Sequence, residues 1–134
     1  MNPIDIISKY YPAESDAYHI LVTHSRSVAD KALNLDIPFI EEAAMLHDIG
    51  IFLCNAPEIG CFGDAEYICH GYLGADLMRK EGFPRHALVC ERHTGTGITR
   101  EMIEERHLPL PSRVMVPVSL EEQLICFADK FYSK

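Results

Sequence analysis

Apolar positions recur at steps of three and four residues along most of this chain, which is the periodicity of helices. The clearest stripe lies between residues 15 and 35, and it includes Leu21 and Val28. We expect this stripe to form a buried helix face. No segment alternates convincingly between apolar and polar residues, and the one β-like run, at 114–118, is interrupted by Pro117. The pattern therefore predicts an all-α protein.

Capping residues divide the pattern into about six to seven helices. Asn2 and Pro3 open a short first helix, and Ser119 with Glu122 forms a capping box for the last one. The other helices are expected at about 15–35, 38–50, 64–80, 84–94 and 99–107. Glycine and proline make 55–63 a loop and 108–118 an extended connection. We expect one domain over residues 1–134, with residues 1–14 as an N-terminal helical extension.

Composition narrows the class of protein. The chain has 134 residues, 48% hydrophobic and 24% charged, as in ordinary globular domains. Its net charge of −8 argues against a nucleic-acid scaffold role. No apolar run is long enough for a transmembrane helix, and the start of the chain lacks the features of a secretory signal. The five cysteines form no CxxC motif. We expect reduced thiols and a cytoplasmic protein with no membrane partner.

Histidine and aspartate residues on apolar helix faces, or at helix ends beside them, are the candidate chemical groups. His47 and Asp48 end an apolar helix just before Gly50, and Asp129 lies deep in the last helix. A buried carboxylate needs a partner, and few basic residues lie nearby in the sequence. The full set is His24, His47, Asp48, His70, His93 and Asp129. Imidazoles mixed with carboxylates suit a transition metal, so we predict a common cation.

Five short strings, in this order, resemble the HD-domain superfamily of metal-dependent phosphohydrolases, in its HDIG branch. The strings are His24-Ser-Arg-Ser-Val-Ala, Leu46-His-Asp-Ile-Gly50, His70-Gly-Tyr-Leu-Gly-Ala75, Glu91-Arg-His-Thr-Gly95 and Phe127-Ala-Asp-Lys130. The resemblance implies an HD-domain helical bundle with a central metal site. It also implies that one ion is held by His24, His47, Asp48 and Asp129. His70 and His93 would hold a second ion, with Asp48 as the bridging and catalytic residue.

The resemblance further implies hydrolysis of a nucleotide, or of another phosphate ester or anhydride, by a metal-activated water. One or two divalent ions are expected, with iron favoured and Mn, Zn, Ni or Mg as alternatives. Many HDIG proteins place a basic residue after the glycine, but this chain has Ile51. We therefore expect Arg92, Lys130 or Arg26 to contact the phosphate. We expect a small phosphorylated partner, and the sequence leaves a homodimer open.

Departures from the family pattern bear on which function within the superfamily this chain has. Thr94 follows His93 and no GYP string occurs, which argues against cyclic-di-GMP phosphodiesterases of the HD-GYP type. The His-Thr-Gly string at 93–95 is instead similar to the symmetrical diadenosine-tetraphosphate hydrolases. The same ligand order also occurs in di-iron oxygenases of the superfamily. Ile51 leaves a third alternative, a non-catalytic metal-binding sensor or interaction module.

Overall fold

A computed structural model describes residues 1–132, most of which are helical. Its seven α-helices are α1 (Pro3–Tyr10), α2 (Asp16–Leu33), α3 (Ile37–Leu46), α4 (His70–Lys80), α5 (Pro84–Arg92), α6 (Arg100–Glu105) and α7 (Leu120–Asp129). The predicted all-α class is therefore confirmed. Over the described part of the chain, none of these helices has the length and apolar character that a membrane span requires.

The chain divides into two compact units, Met1–Leu35 and Asp36–Lys134. The first unit contains α1 and α2, which begin where their caps predict. The Asn2 side chain accepts a hydrogen bond from the backbone N–H of Ile4, and Ser15 does the same for Tyr18. No residue of α2 is buried, so the buried face predicted for this helix is not observed. Periodicity shows which residues share a helix face, but it does not supply a surface that covers the face.

The second unit is built around helices α3, α4, α5 and α7. One core cluster joins α3, α5 and α7 through Phe39, Ala43, Val89 and Ile125. A second cluster packs α4 against α5 through Ala75, Met78, Ala87 and Cys90. These two helices form a hairpin whose turn contains Gly82 at a φ of +92°, a conformation that favours glycine. Small residues at the α4–α5 contact allow the two backbones to approach closely.

The segment between α3 and α4 differs from the prediction. Helix α3 ends at Leu46 rather than at Gly50, and a 3₁₀ helix follows at Ile49–Leu53. The predicted loop contains a short antiparallel hairpin of β1 (Asn55–Ala56) and β2 (Cys61–Phe62). Helix α4 begins at His70 rather than near residue 64.

Backbone hydrogen bonds explain why α4 begins later than predicted. The N–H of Asn55 donates to the carbonyl of Ala65 at 2.8 Å, and the N–H of Ala65 donates to the carbonyl of Leu53 at 3.2 Å. These bonds hold Ala65 beside the preceding segment, so its backbone groups are not available to a helix. Asp64 resembles a helix cap in the sequence, but this long-range pairing prevents a helix there.

The end of the chain follows the prediction more closely. Thr99 caps α6 and Ser119 caps α7, each accepting a hydrogen bond from a backbone N–H three residues later. The connection between these helices is extended at Met115, which exchanges two backbone hydrogen bonds with Ile98. A third core cluster, Ile98, Ile103 and Met115, lies under this connection. Packed apolar residues therefore stabilise the irregular connection between α6 and α7.

Candidate metal centre

Five of the predicted ligands lie at helix ends of the second unit. His47 follows the last residue of α3, and Asp48 precedes the 3₁₀ helix. His70 is the first residue of α4, while His93 directly follows α5. Asp129 is the last residue of α7, not a residue deep within this helix as predicted, because α7 ends before the chain does. The site is therefore assembled from four separate stretches of chain.

Glycine residues bring these stretches together at backbone distance. A Cβ atom added to Gly50 would overlap the carbonyl oxygen of His70 and lie 2.5 Å from the backbone nitrogen of Gly74. A Cβ atom added to Gly71 would lie 2.7 Å from the carbonyl oxygen of Cys90. Ordinary side chains do not fit at such distances. The HDIG glycine therefore packs the segment after His47 against the start of α4.

Each of the three imidazoles is oriented by the same local hydrogen bond. The Nδ1 atom lies close to the carbonyl oxygen three residues earlier: His47 to Ala44 at 2.6 Å, His70 to Tyr67 at 2.6 Å, and His93 to Cys90 at 2.7 Å. A carbonyl oxygen only accepts hydrogen bonds, so Nδ1 carries the proton in each ring. When such a ring is neutral, Nε2 offers its lone pair, as in histidines that bind metals.

The Nε2 atoms converge with two carboxylates. His70 Nε2 and His93 Nε2 are 3.0 Å apart, and His47 Nε2 lies 3.1 Å from Asp129 Oδ1. One oxygen of Asp48 is 3.2 Å from His47 Nε2. The other is 3.3 Å from His70 Nε2 and 3.2 Å from His93 Nε2. Two imidazole lone pairs at such a distance repel each other, and a cation between them would remove the repulsion.

These atoms form two groups that could hold a metal ion, within which the ligand atoms lie within 4.8 Å of one another. The groups are His47–His93–Asp129 and Asp48–His70–His93. Imidazole nitrogens with carboxylate oxygens are a donor set for transition metals, so the residues fit the predicted cation. His70 and His93 are buried, whereas the side chains of Asp48 and Asp129 are 20% and 24% exposed. The site is thus buried on one side and partly exposed to solvent on the other.

The electrostatics of the site favour positive charge. The hydrogen bond with Asp48 raises the pKa of His47 to about 9, and the charge of Asp129 adds to this effect, although burial opposes it. The same two carboxylates that would stabilise a protonated imidazole would stabilise a divalent cation.

The other predicted site residues are placed as follows. His24 and Arg26 lie on α2 in the first unit, with exposed side chains. Arg92 donates a hydrogen bond of 2.8 Å to the buried carboxylate of Glu122. The ammonium group of Lys130 donates to the carbonyl oxygen of Cys126 at 3.0 Å. Metal binding by His24 and substrate binding by the three basic residues stay predictions.

Two buried carboxylates were not found from the sequence. Glu91 and Glu122 are only 5% and 7% exposed, and each is hydrogen-bonded to arginine. The sequence placed Glu122 in the capping box of α7 and Glu91 in one of the five short strings, and neither carboxylate was assigned a role in the site. A signal was present for Glu91, because it lies four residues after Ala87 and therefore on the buried side of α5.

Comparison with known proteins identifies one family and several relatives of this chain. The HD domain family model matches residues 21–133. An uncharacterized protein of Methanocaldococcus jannaschii is 34% identical over 77% of this chain and 54% of its own length. A tRNA (cytidine(56)-2'-O)-methyltransferase of Thermoplasma volcanium is 31% identical over 97% of this chain, and 35% of that enzyme is covered. The Picrophilus torridus protein of the same name is 30% identical over 93% of this chain, and 38% of that enzyme is covered.

The chain thus spans about half the length of the first relative and little more than a third of the other two. No solved structure matches this chain significantly.

Proposed function

Because this chain belongs to the HD domain family, whose members are generally phosphohydrolases, we propose that it is a metal-dependent phosphohydrolase. One observation carries the proposal. Three imidazoles, all oriented through Nδ1, direct Nε2 atoms to the same place as two carboxylates. Such a cluster has the composition of a hydrolytic metal site, in which ligands are oriented by further hydrogen bonds.

Asp48 is the proposed centre of the site. Its two oxygens contact imidazoles of both metal-binding groups, which is the arrangement that a carboxylate bridging two ions requires. A bound divalent cation, with iron favoured, would supply a water of lowered pKa and positive charge to stabilise the phosphate oxygens. His24 is the remaining ligand proposed from the sequence.

The proposed substrate is a small phosphorylated molecule, with a nucleotide favoured. The protein carries a net charge of −8, and both Arg92 and Lys130 already have protein partners. The attraction for an anionic substrate would therefore come mainly from bound cations. The names of two relatives refer to tRNA modification, which agrees with a substrate related to nucleotides. Methyl transfer is not part of the proposal, since the chain covers only 35% and 38% of those enzymes.

A substrate screen tests the proposal. Apo-protein is reconstituted anaerobically with Mn(II) or Fe(II) and assayed for phosphate release from nucleotides, dinucleoside polyphosphates and simple phosphate esters. We expect turnover by the wild type, a loss of at least about 100-fold in Asp48→Ala, and wild-type rates in the control His107→Asn. His107 is an exposed residue with a φ of +50°, which asparagine also tolerates.

Two results would contradict the proposal. Oxygen consumption by the iron form without phosphate release would favour the di-iron oxygenase alternative. Tight metal binding with no turnover of any substrate would favour a sensor or interaction module.

A further inference from the structure

A buried carboxylate outside the metal-binding groups links three segments of the second unit. Glu91 is 5% exposed, and both of its oxygens accept hydrogen bonds from guanidinium groups. Arg79 Nη2 donates to Oε1 at 3.2 Å, and Arg113 Nε donates to Oε2 at 3.3 Å. Arg113 Nη2 makes a second, short hydrogen bond to Oε1. We call these three residues the Glu91 clamp.

The clamp acts on the two helices that carry His70 and His93. Arg79 lies in the last turn of α4, nine residues after His70, whereas Glu91 lies in the last turn of α5, two residues before His93. Gly71 already fixes one contact, where α4 passes the carbonyl of Cys90. The core cluster between α4 and α5 adds apolar contacts, which have no directional preference. The hydrogen bond from Arg79 to Glu91 adds a directional contact between the same two helices.

The clamp is also adjacent to the hydrogen bond that orients His93. The carbonyl of Cys90, the residue before Glu91, accepts the hydrogen bond from Nδ1 of His93 at 2.7 Å. Arg113 adds a paired contact from the segment before Met115, and a forked guanidinium–carboxylate pair restricts direction as well as distance. An apolar side chain at position 91 would avoid burying a charge, but it would not set the orientation of this turn.

We infer that Glu91 is a positioning residue of the metal centre. The Glu91 clamp sets the direction of the Cys90 carbonyl and of His93 Nε2. Because both metal-binding groups contain His93, the clamp thereby sets their affinity for divalent cations. The inference rests on the proposed metal centre. It goes beyond that proposal because Glu91 belongs to neither metal-binding group.

Titration of apo-protein with Mn(II) alone, followed by the electron paramagnetic resonance signal of free Mn(II), tests the inference. We expect Glu91→Gln to weaken Mn(II) binding by about 10- to 100-fold, as is typical when a residue behind a ligand is removed. Arg113→Lys keeps the charge but loses the forked contact, so a smaller loss of affinity is expected. This second variant also serves if Glu91→Gln does not fold.

A matched control separates positioning from general stability. Ile103→Ala opens the core cluster that contains Met115, close in sequence to Arg113, and it should lower the melting temperature while changing Mn(II) affinity by less than about threefold. Wild-type affinity in folded Glu91→Gln and Arg113→Lys, or an equal loss of affinity in Ile103→Ala, would overturn the inference. A wild type that binds Mn(II) but releases no phosphate would count against the proposed reaction and leave the inference standing.

Discussion

At the scale of single residues, the three histidines of the site share the same local hydrogen-bond geometry. Each lies three residues after the carbonyl that accepts a hydrogen bond from its Nδ1, so the local backbone fixes the tautomer and points Nε2 towards the carboxylates. The two carboxylates then differ in their contacts, because Asp48 contacts all three imidazoles whereas Asp129 contacts only His47.

This difference predicts unequal effects of two substitutions on metal content. Asp48→Ala removes a ligand that could serve both ions, and it should leave less than one ion per chain. His70→Ala removes a ligand of one group and should leave about one ion. Metal analysis of anaerobically purified variants measures both. Equal losses would instead indicate a tightly coupled two-metal unit and would contradict this ranking.

The ion pair between Arg92 and the buried Glu122 predicts how stability depends on pH. Burial opposes ionisation of Glu122, but hydrogen bonds from Arg92, Val118 and Ser119 outweigh it, so its pKa is lowered from 4.5. Its stabilising contribution is therefore present above about pH 4.5 and is lost as the pH falls through the lower folded-state pKa.

Glu122→Gln should accordingly lower the free energy of unfolding by about 1–3 kcal/mol near pH 7. The difference from wild type should shrink as the pH falls towards 3. Urea denaturation at the two pH values measures this, with the exposed Glu101→Gln as the control. A difference that is as large at pH 3 as at pH 7 would contradict the prediction.

At this scale the sequence was informative about histidines and uninformative about glutamates. His47, His70 and His93 stood out because each lies beside apolar residues or glycine. Glu91 and Glu122 did not, because glutamate in a helix usually faces solvent and the arginines that pair with them are distant in sequence. Arg113 is 22 residues from Glu91, and Arg92 is 30 residues from Glu122.

At the scale of elements, backbone contacts between segments decide where the histidines lie. Gly50 packs against the first turn of α4, and Gly71 packs against the last turn of α5. Local signals such as caps and prolines predicted α1, α5, α6 and α7 well. They failed at the end of α3 and at the start of α4. There, backbone pairing around Ala65 and the close approach at Gly50 override local helix preference.

The close backbone contact at Gly50 predicts that even a small side chain is not tolerated at this position. Gly50→Ala would place Cβ against backbone atoms of His70 and Gly74, which cannot move without displacing α4. We expect a destabilisation of about 1–3 kcal/mol together with weaker metal binding. Thermal unfolding and Mn(II) titration measure the two effects.

The matched control is Gly60→Asn. Gly60 has a φ of +78° and no atom near its added Cβ, and asparagine tolerates this conformation. This variant should therefore be close to wild type in both measurements. Wild-type stability and metal binding in Gly50→Ala would contradict the role given to the backbone contact.

At the scale of the whole molecule, the helical class and the membership of the HD domain family could be predicted from the sequence. Periodicity and caps indicate the helices, and five short strings in a fixed order indicate the family. The division into two compact units could not be predicted, since a continuous helical pattern does not report which helices share a core. The prediction for His24, in the first unit, therefore depends on the family resemblance.

The central claim is that the His/Asp cluster of the second unit binds divalent cations, two per chain. Anaerobic titration of apo-protein with Mn(II), compared between wild type and His93→Ala, tests it most directly, because His93 belongs to both groups. We expect two ions per wild-type chain and impaired binding of both ions in His93→Ala. A stoichiometry that stays at one in the wild type would contradict the two-ion arrangement. Equal binding by wild type and His93→Ala would contradict the site itself.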